Sequence, residues 1–379
     1  MADALKLFIL AGEPSGDRIA ADLVTRLRGK LTVELSGVGG DELQGQGLRP
    51  LFPMSDLAVM GLTDVLLRLP LLLWRIEQTA RAILASQPDI VVLVDAQDFS
   101  KRLAKRIKAL GYTKPVLLYV APSVWARAPH RAKALAPLFA EVLAVLPFEP
   151  AVMAKLDGPP TSYVGHPALA EALPGQTAPE RGLVALLPGS RNGELRRHLP
   201  LLGQVAAQLT DHPSVSGFFI PTLRSLQQRL RDETADWPVP VTIVADRTER
   251  RALYQQSVLA LSVSGTATLE LALARVPMVV VYVLDAPQAR EFERIGRPQV
   301  GLPNIILDRI AIEELITAKA DPAALTAAAR RLLDNKKARQ DQITAFGELA
   351  DLMEQGTADA PRQDPADRVL SHWLLLSGH

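Results

Sequence analysis

The sequence predicts an α/β protein of two Rossmann-like domains, each a parallel sheet covered by helices on both faces, opposed across a cleft. Three observations carry that reading. Short Val/Leu-rich runs recur without polar alternation, as expected for strands buried on both sides. Each run passes through turn residues into a segment of helical period, the rhythm of a doubly wound sheet. The rhythm breaks at a Pro/Gly-rich stretch, 167–182, and then restarts. A chain of 379 residues is long enough for two independent cores.

In chain order, the first series reads as strands at 5–10, 32–36, 90–94, 116–120, 142–146 and 163–164. The second reads as strands at 183–187, 217–220, 241–244, 259–263 and 278–283. Helical patterns at 323–334 and 338–354 follow, then a linker at 356–367 and a short helix ending in Trp373, Leu374, Leu375 and Leu376. The expected divisions are 1–170, 171–355, and a terminal linker and helix at 356–379.

Composition narrows the class. Hydrophobic content of 48% and charged content of 22% are ordinary for a globular protein. A net charge of +1 gives no case for bulk nucleic-acid binding. The chain has no cysteine, so disulfides and thiolate metal sites are excluded. No apolar run approaches about 18 residues, and no basic-then-apolar leader opens the chain. A cytoplasmic protein that meets a membrane only at its surface is expected.

The polar residues that follow the strands carry the chemistry, because open α/β sheets bind ligands there. The first strand runs into Gly12, Glu13, Pro14, Ser15, Gly16 and Asp17. This turn is neither a G-x-G-x-x-G fingerprint nor a Walker loop, so a polar visitor other than a P-loop nucleotide is expected. The strand at 90–94 ends in Asp95, a candidate general base. Its alternative role is to cap the next helix, for which Asp98 is the better placed. Ser123 and Trp125 lie in a Pro-Ser-x-Trp turn that forms either an acceptor wall or a packed tryptophan site.

In the second domain, Gly189, Ser190 and Arg191 follow a strand and precede a helix. They read as an anion corner with a permanent cation, or as a surface loop with a solvated basic face. Ser264, Gly265 and Thr266 form a second such corner, and Glu270 in the next helix suits a ribose diol or a helix-dipole role. Two corners, one bringing arginine and one a carboxylate, fit a nucleoside diphosphate.

The segment 60–76 (MGLTDVLLRLPLLLWRI) shows two apolar stripes. Leu62, Val65, Leu66, Leu69, Leu73 and Ile76 suit a core face. Leu67, Leu71 and Trp74, with Arg68 and Arg75, suit contact with an anionic membrane surface; burial on two sides or a subunit interface is the alternative. Pro70 is expected to divide the segment into two short helices.

Together A-G-E-P-S-G-D (11–17), D-L-A-V-M-G (56–61), V-D-A-Q-D-F (94–99), P-S-V-W (122–125), L-P-F-E (146–149), V-G-H-P (164–167), L-L-P-G-S-R (186–191), S-G-T-A-T-L-E (264–270) and L-P-N (302–304) resemble the lipid-A-disaccharide synthase family. The match spans about 300 residues in order. The resemblance implies a GT-B glycosyltransferase that joins UDP-2,3-diacylglucosamine to 2,3-diacylglucosamine 1-phosphate (lipid X). The products are a β-1,6-linked disaccharide 1-phosphate and UDP, formed with inversion and with no cofactor or dedicated metal. It also implies peripheral association with the inner membrane of a Gram-negative bacterium, and leaves a homodimer open.

On that resemblance Asp95 is the essential base and Arg191 stabilises the leaving UDP. Gly189, Ser190, Ser264, Gly265, Thr266, Glu270 and Asn304 hold the UDP-sugar, and Glu13, Ser15, Asp17, Ser123 and Trp125 hold the acceptor. The spacing Asp95-x-x-Asp98 is not the D-x-D of metal-dependent transferases. Gln97, Arg127 and Asn192 depart from common family residues and bear on acceptor recognition. The rival readings are a UDP-N-acetylglucosamine 2-epimerase, a MurG-like transferase, and a UDP-sugar-binding protein without activity.

Overall fold

The computed structural model describes residues 4–57, 62–125, 129–173, 175, 177 and 179–377, with backbone alone for 62–67 and 377. The chain forms two compact units, Met1–Pro167 with Met353–His379, and Ala168–Leu352.

The first unit runs β1 (Leu5–Ala11), α1 (Pro14–Arg28), β2 (Val33–Val38), α2 (Asp41–Gly45), α3 (Leu62–Ser86), β3 (Ile90–Val94), α4 (Gln97–Ala109), β4 (Val116–Tyr119), α5 (His130–Lys133), β5 (Glu141–Ala144), α6 (Glu149–Lys155) and β6 (Thr161–Tyr163). Its six strands pair in parallel in the order β2-β1-β3-β4-β5-β6. One face packs Phe8, Leu10, Leu93 and Leu118 against Ile76, Ala80 and Ile83 of α3 and Leu103 and Ile107 of α4. Each such burial contributes about 1.5–3 kcal/mol. The expectation of two helices around Pro70 is not met. α3 is continuous, with Pro70 inside it and exposed.

The second unit runs β7 (Gly182–Leu187), α7 (Asn192–Leu209), β8 (Val215–Pro221), α8 (Gln227–Thr234), β9 (Val241–Val244), α9 (Arg247–Gln255), β10 (Ser257–Ser262), α10 (Thr266–Leu273), β11 (Met278–Val283), α11 (Ala286–Arg294), α12 (Leu302–Leu307), β12 (Glu313–Thr317), α13 (Pro322–Asp334) and α14 (Lys336–Gln355) as far as Leu352. Its order is β12-β11-β10-β7-β8-β9, again all parallel. Sequence analysis misses β12 because this edge strand, EELIT, is only half-buried and carries no apolar run.

The last helix, α15 (Pro365–Ser377), is grouped with the first unit rather than standing apart. Arg368 straddles the buried carboxylate of Glu141 at 2.9 and 3.0 Å, and His372 Nε2 meets the same group at 2.8 Å. A forked guanidinium on an enclosed carboxylate is among the stronger polar contacts.

Strand order reverses once in each sheet, between β1 and β3 in the first and between β7 and β10 in the second. Ligands of doubly wound sheets bind beyond the strand ends at such a point. The loops there are 12–13 and 95–96 in one unit, and 188–191 and 263–265 in the other.

Candidate functional site

In the first unit, Asp95 and Ala96 bridge β3 and α4 with φ of +55° and +45°, and Val120 beyond β4 has φ of +77°. A left-handed β-branched residue is strained, and such strain clusters at functional sites. The turn is held by its backbone. Asp95 N–H donates to Tyr119 O at 2.9 Å, Ser100 Oγ donates to Asp95 O at 2.8 Å, and Gln97 Nε2 donates to Val120 O at 3.0 Å. Gln97 thus ties two strand-end loops together. Across the strand-order reversal, a Cβ on Gly12 would come within 2.7 Å of Ala96 Cβ, so only glycine admits this approach of the β1 and β3 loops.

The capping alternative for Asp95 fails. Ala96 occupies the cap position of α4, which has no side-chain cap bond, and Asp98 is exposed in the first turn. The Asp95 carboxyl is held above its ordinary range, mainly by burial and then by the nearby negative charge of Glu13, against a smaller pull from the Ala96 N–H. Glu13 and Ser15 are exposed at the start of α1.

Asp17 is a correction. It is 2% exposed, and its carboxylate accepts the N–H groups of Gly40 (2.8 Å), Glu42 (2.9 Å) and Leu43 (3.4 Å). It anchors the start of α2 from within the core and presents nothing to an acceptor. Ser123 is exposed. Trp125 is half-buried, packs edge-on against Phe148 at 5.4 Å, and points its Nε1 at Glu149 Oε1 from 3.4 Å. Glu149 is buried, accepts the N–H groups of Val145 and Leu146, and is pushed up to about 8 chiefly by burial. The motif L-P-F-E contains it, but no local pattern shows that its carboxyl turns inward. Arg127 lies outside the described residues.

In the second unit, Gly189 has φ of +93° and Gly265 of +128°. The amides expected to face an anion at the first corner are engaged. Glu194 Oε2 accepts from Ser190 N–H and Arg191 N–H, both at 3.2 Å, and Oε1 accepts from Arg191 Nη1 at 3.1 Å. Arg191 is 80% exposed and holds the cap position of α7, where Glu194 accepts its N–H. Asn192 is exposed and bonded to Arg229.

At the second corner, Thr266 is exposed at the start of α10 and Ser264 is half-buried. Thr268 Oγ1 donates to Gly265 O at 2.8 Å and accepts Leu302 N–H at 3.2 Å, fixing the loop. Glu270 lines a crevice with Glu171, Arg250, Arg251 and Tyr254. Its volume of about 10 Å³ is that of a single water.

Asn304 is a second correction. It is 1% exposed and its amide is saturated. Nδ2 donates to Ile312 O (2.9 Å) and Glu314 Oε1 (2.7 Å), and Oδ1 accepts from Ala311 and Ile312 N–H (2.7 and 2.9 Å). Glu314 in turn accepts the N–H groups of Val300 and Gly301. Asn304 braces this loop from within and has no polar atom left for nucleotide or sugar.

On α3, Trp74 is 55% and Leu73 48% exposed, whereas Leu71 is half-buried. The side chain of Leu67 lies outside the described residues. Arg68 is exposed. Arg75 corrects the expected membrane set: its side chain is 13% exposed, pairs with Asp56 through Nε at 2.9 Å, and lies over the rings of Phe52 and Trp74. Among the described residues, no helix is long and apolar enough to cross a membrane, and no His/Cys/Asp/Glu group is arranged to hold a metal.

A family model described as lipid-A-disaccharide synthetase matches residues 7–363. The lipid-A-disaccharide synthase of Rhodospirillum centenum is 38% identical over 380 residues, covering 97% of this chain and 94% of that protein. That of Rhodopseudomonas palustris strain BisB18 is 37% identical, covering 96% and 95%. Among solved structures, the S. aureus MnaA–UDP co-structure superposes with a TM-score of 0.61 at 11% identity, covering 99% of this chain and 97% of the other. The glycotransferase of kitacinnamycin gives 0.60 at 14%, covering 98% and 100%. At these identities the likeness to solved structures is one of fold.

Proposed function

The chain belongs to the lipid-A-disaccharide synthetase family, and from that premise we propose how its two sites divide the reaction. Membership makes it a glycosyltransferase of lipid A disaccharide synthesis, and its two parallel-sheet units have the GT-B fold. The proposed donor is UDP-2,3-diacylglucosamine and the acceptor 2,3-diacylglucosamine 1-phosphate. The acceptor's 6-hydroxyl oxygen forms a bond to the donor's anomeric carbon from the face opposite UDP. The bond from that carbon to the diphosphate oxygen breaks, and UDP leaves with the electron pair. Attack from the opposite face inverts the centre and gives the β-1,6 disaccharide 1-phosphate.

Asp95 takes the hydroxyl proton. The observation that supports this most is its carboxyl: half-buried in a strained turn at the strand-order reversal, free of any cap, and more basic than an ordinary aspartate. Proton transfer to a positioned base contributes about 10²–10⁴-fold. Glu13, Ser15, Ser123 and Trp125 are the proposed acceptor contacts. Arg191, Gly189, Ser190, Ser264, Gly265, Thr266 and Glu270 are the proposed UDP-sugar contacts, with Ser190 and Arg191 amides exchanging Glu194 for the diphosphate. Binding energy realised as charge develops on UDP speeds the step.

With detergent and the two defined acylated sugars, the protein is expected to yield a disaccharide phosphate seen by mass spectrometry. Epimerised UDP-N-acetylglucosamine with no glycosidic product would replace this reading with that of an epimerase.

The proposed membrane contact is the exposed edge of α3, with Leu73 and Trp74 entering the headgroup boundary and Arg68 meeting anionic lipid. Leu73→Ser with Trp74→Ser is expected to cut sedimentation with anionic vesicles severalfold at unchanged thermal midpoint, since both side chains are already about half exposed. Unchanged sedimentation with a shift in oligomeric size would make this surface a subunit contact instead.

A further inference from the structure

Arg197 lies on α7, one turn beyond Glu194, and its side chain is 18% exposed. Its Nε is buried with no hydrogen-bond partner among the described residues. Its Nη1 approaches Asp285 Oδ2 only to 3.7 Å, too far for a hydrogen bond. A guanidinium carries five N–H donors, and enclosed donors almost always find an acceptor. Arg197 is therefore an enclosed cation whose Nε has no hydrogen-bond acceptor among the described residues and whose ion pair with Asp285 is loose.

Its position says which anion. The guanidinium lies against the first turn of α7, where a Cβ on Gly193 would be 3.4 Å from Nη1. The neighbouring His198 crosses to the third strand along: its Nδ1 faces Glu194 O at 2.8 Å, and its Nε2 accepts Val283 N–H at 2.8 Å. The ring is thus neutral, with Nδ1 as donor, consistent with a pKa held low by burial. In the sheet, β10 lies between β7 and β11, so this bridge spans the end of β10. Arg197, between Gly193 at the start of α7 and Asp285 beyond β11, lies at the same end of the sheet as the Ser264–Gly265–Thr266 turn that follows β10, where α10 begins without a side-chain cap. Asp285, with which it forms the loose ion pair, already caps α11 by accepting Gln288 N–H at 2.9 Å.

We infer that Arg197 is a second diphosphate-binding cation of the second unit, the enclosed one, while Arg191 is the exposed one. This rests on the nucleotide site proposed above. A planar fork between two strand-end loops suits adjacent phosphate oxygens.

Calorimetric titration of the full chain with UDP and with uridine tests this. Arg197→Met is expected to weaken UDP binding at least tenfold, to leave uridine binding within twofold, and to leave the thermal midpoint unchanged or higher. Arg197→Lys, which keeps the charge and loses the fork, falls between, and serves if the methionine variant misfolds. Asp285→Asn, which keeps the α11 cap, is expected to leave UDP affinity within twofold. UDP affinity of Arg197→Met within twofold of the parent, or an equal loss for UDP and uridine, overturns the assignment. A parent protein that binds neither removes the nucleotide reading itself.

Discussion

Asp95→Asn lowers kcat by at least about a hundredfold, the scale of a lost general base, and leaves the thermal midpoint within a few degrees. Asparagine is the sharper test than alanine, because it is isosteric and tolerates the left-handed backbone at φ +55°. The base must be ionised, so kcat/KM falls as pH drops through the pKa of residue 95, which burial and Glu13 hold above the ordinary range. Glu13→Gln removes the repulsive neighbour and moves that acid limb to lower pH. A near-normal rate for Asp95→Asn, or an acid limb that ignores Glu13→Gln, assigns the proton to another group.

Asp17→Ala is expected to have an equally large effect of a different kind. It strips the acceptor from three backbone N–H groups, two of them at 2.8 and 2.9 Å, inside a site that is 2% exposed. Losing charge-assisted bonds and leaving buried donors unmade costs about 3 kcal/mol or more. For a domain of this size that lowers the melting temperature by roughly 10 °C. At low temperature the surviving folded enzyme keeps its acceptor KM, because the carboxylate faces α2 rather than substrate. A normal melting temperature with a raised acceptor KM would return Asp17 to the acceptor wall.

The two aspartates show where sequence reasoning succeeds and stops. Both follow a buried parallel strand, in segments whose sequences read as ligand corners. Asp95 is legible because the run IVVLV must be strand, its end must carry the turn, and a carboxylate there has few local partners. Asp17 looks the same on paper, yet its donors lie 23–26 residues further along the chain. Asn304 repeats the lesson, bonded to residues 7–10 positions away in a loop with no readable pattern. Arg75, read as lipid-facing from helical spacing, turns instead to Asp56 and two aromatic rings. Arg197 reads as one more basic residue on a helix until its burial and the unsatisfied Nε are seen.

What the sequence by itself determined is the repeated strand–turn–helix rhythm, the break between its two series, and the set of polar residues at strand ends. These follow from local rules: burial on both faces demands unbroken apolar runs, and turns demand Gly, Pro, Ser and Asp. Only the tertiary structure decided which of those polar residues stay available for chemistry. A carboxylate, amide or guanidinium is spent or spare according to donors and acceptors that folding brings from distant parts of the chain, and desolvation then sets how strongly each one holds its proton or its charge.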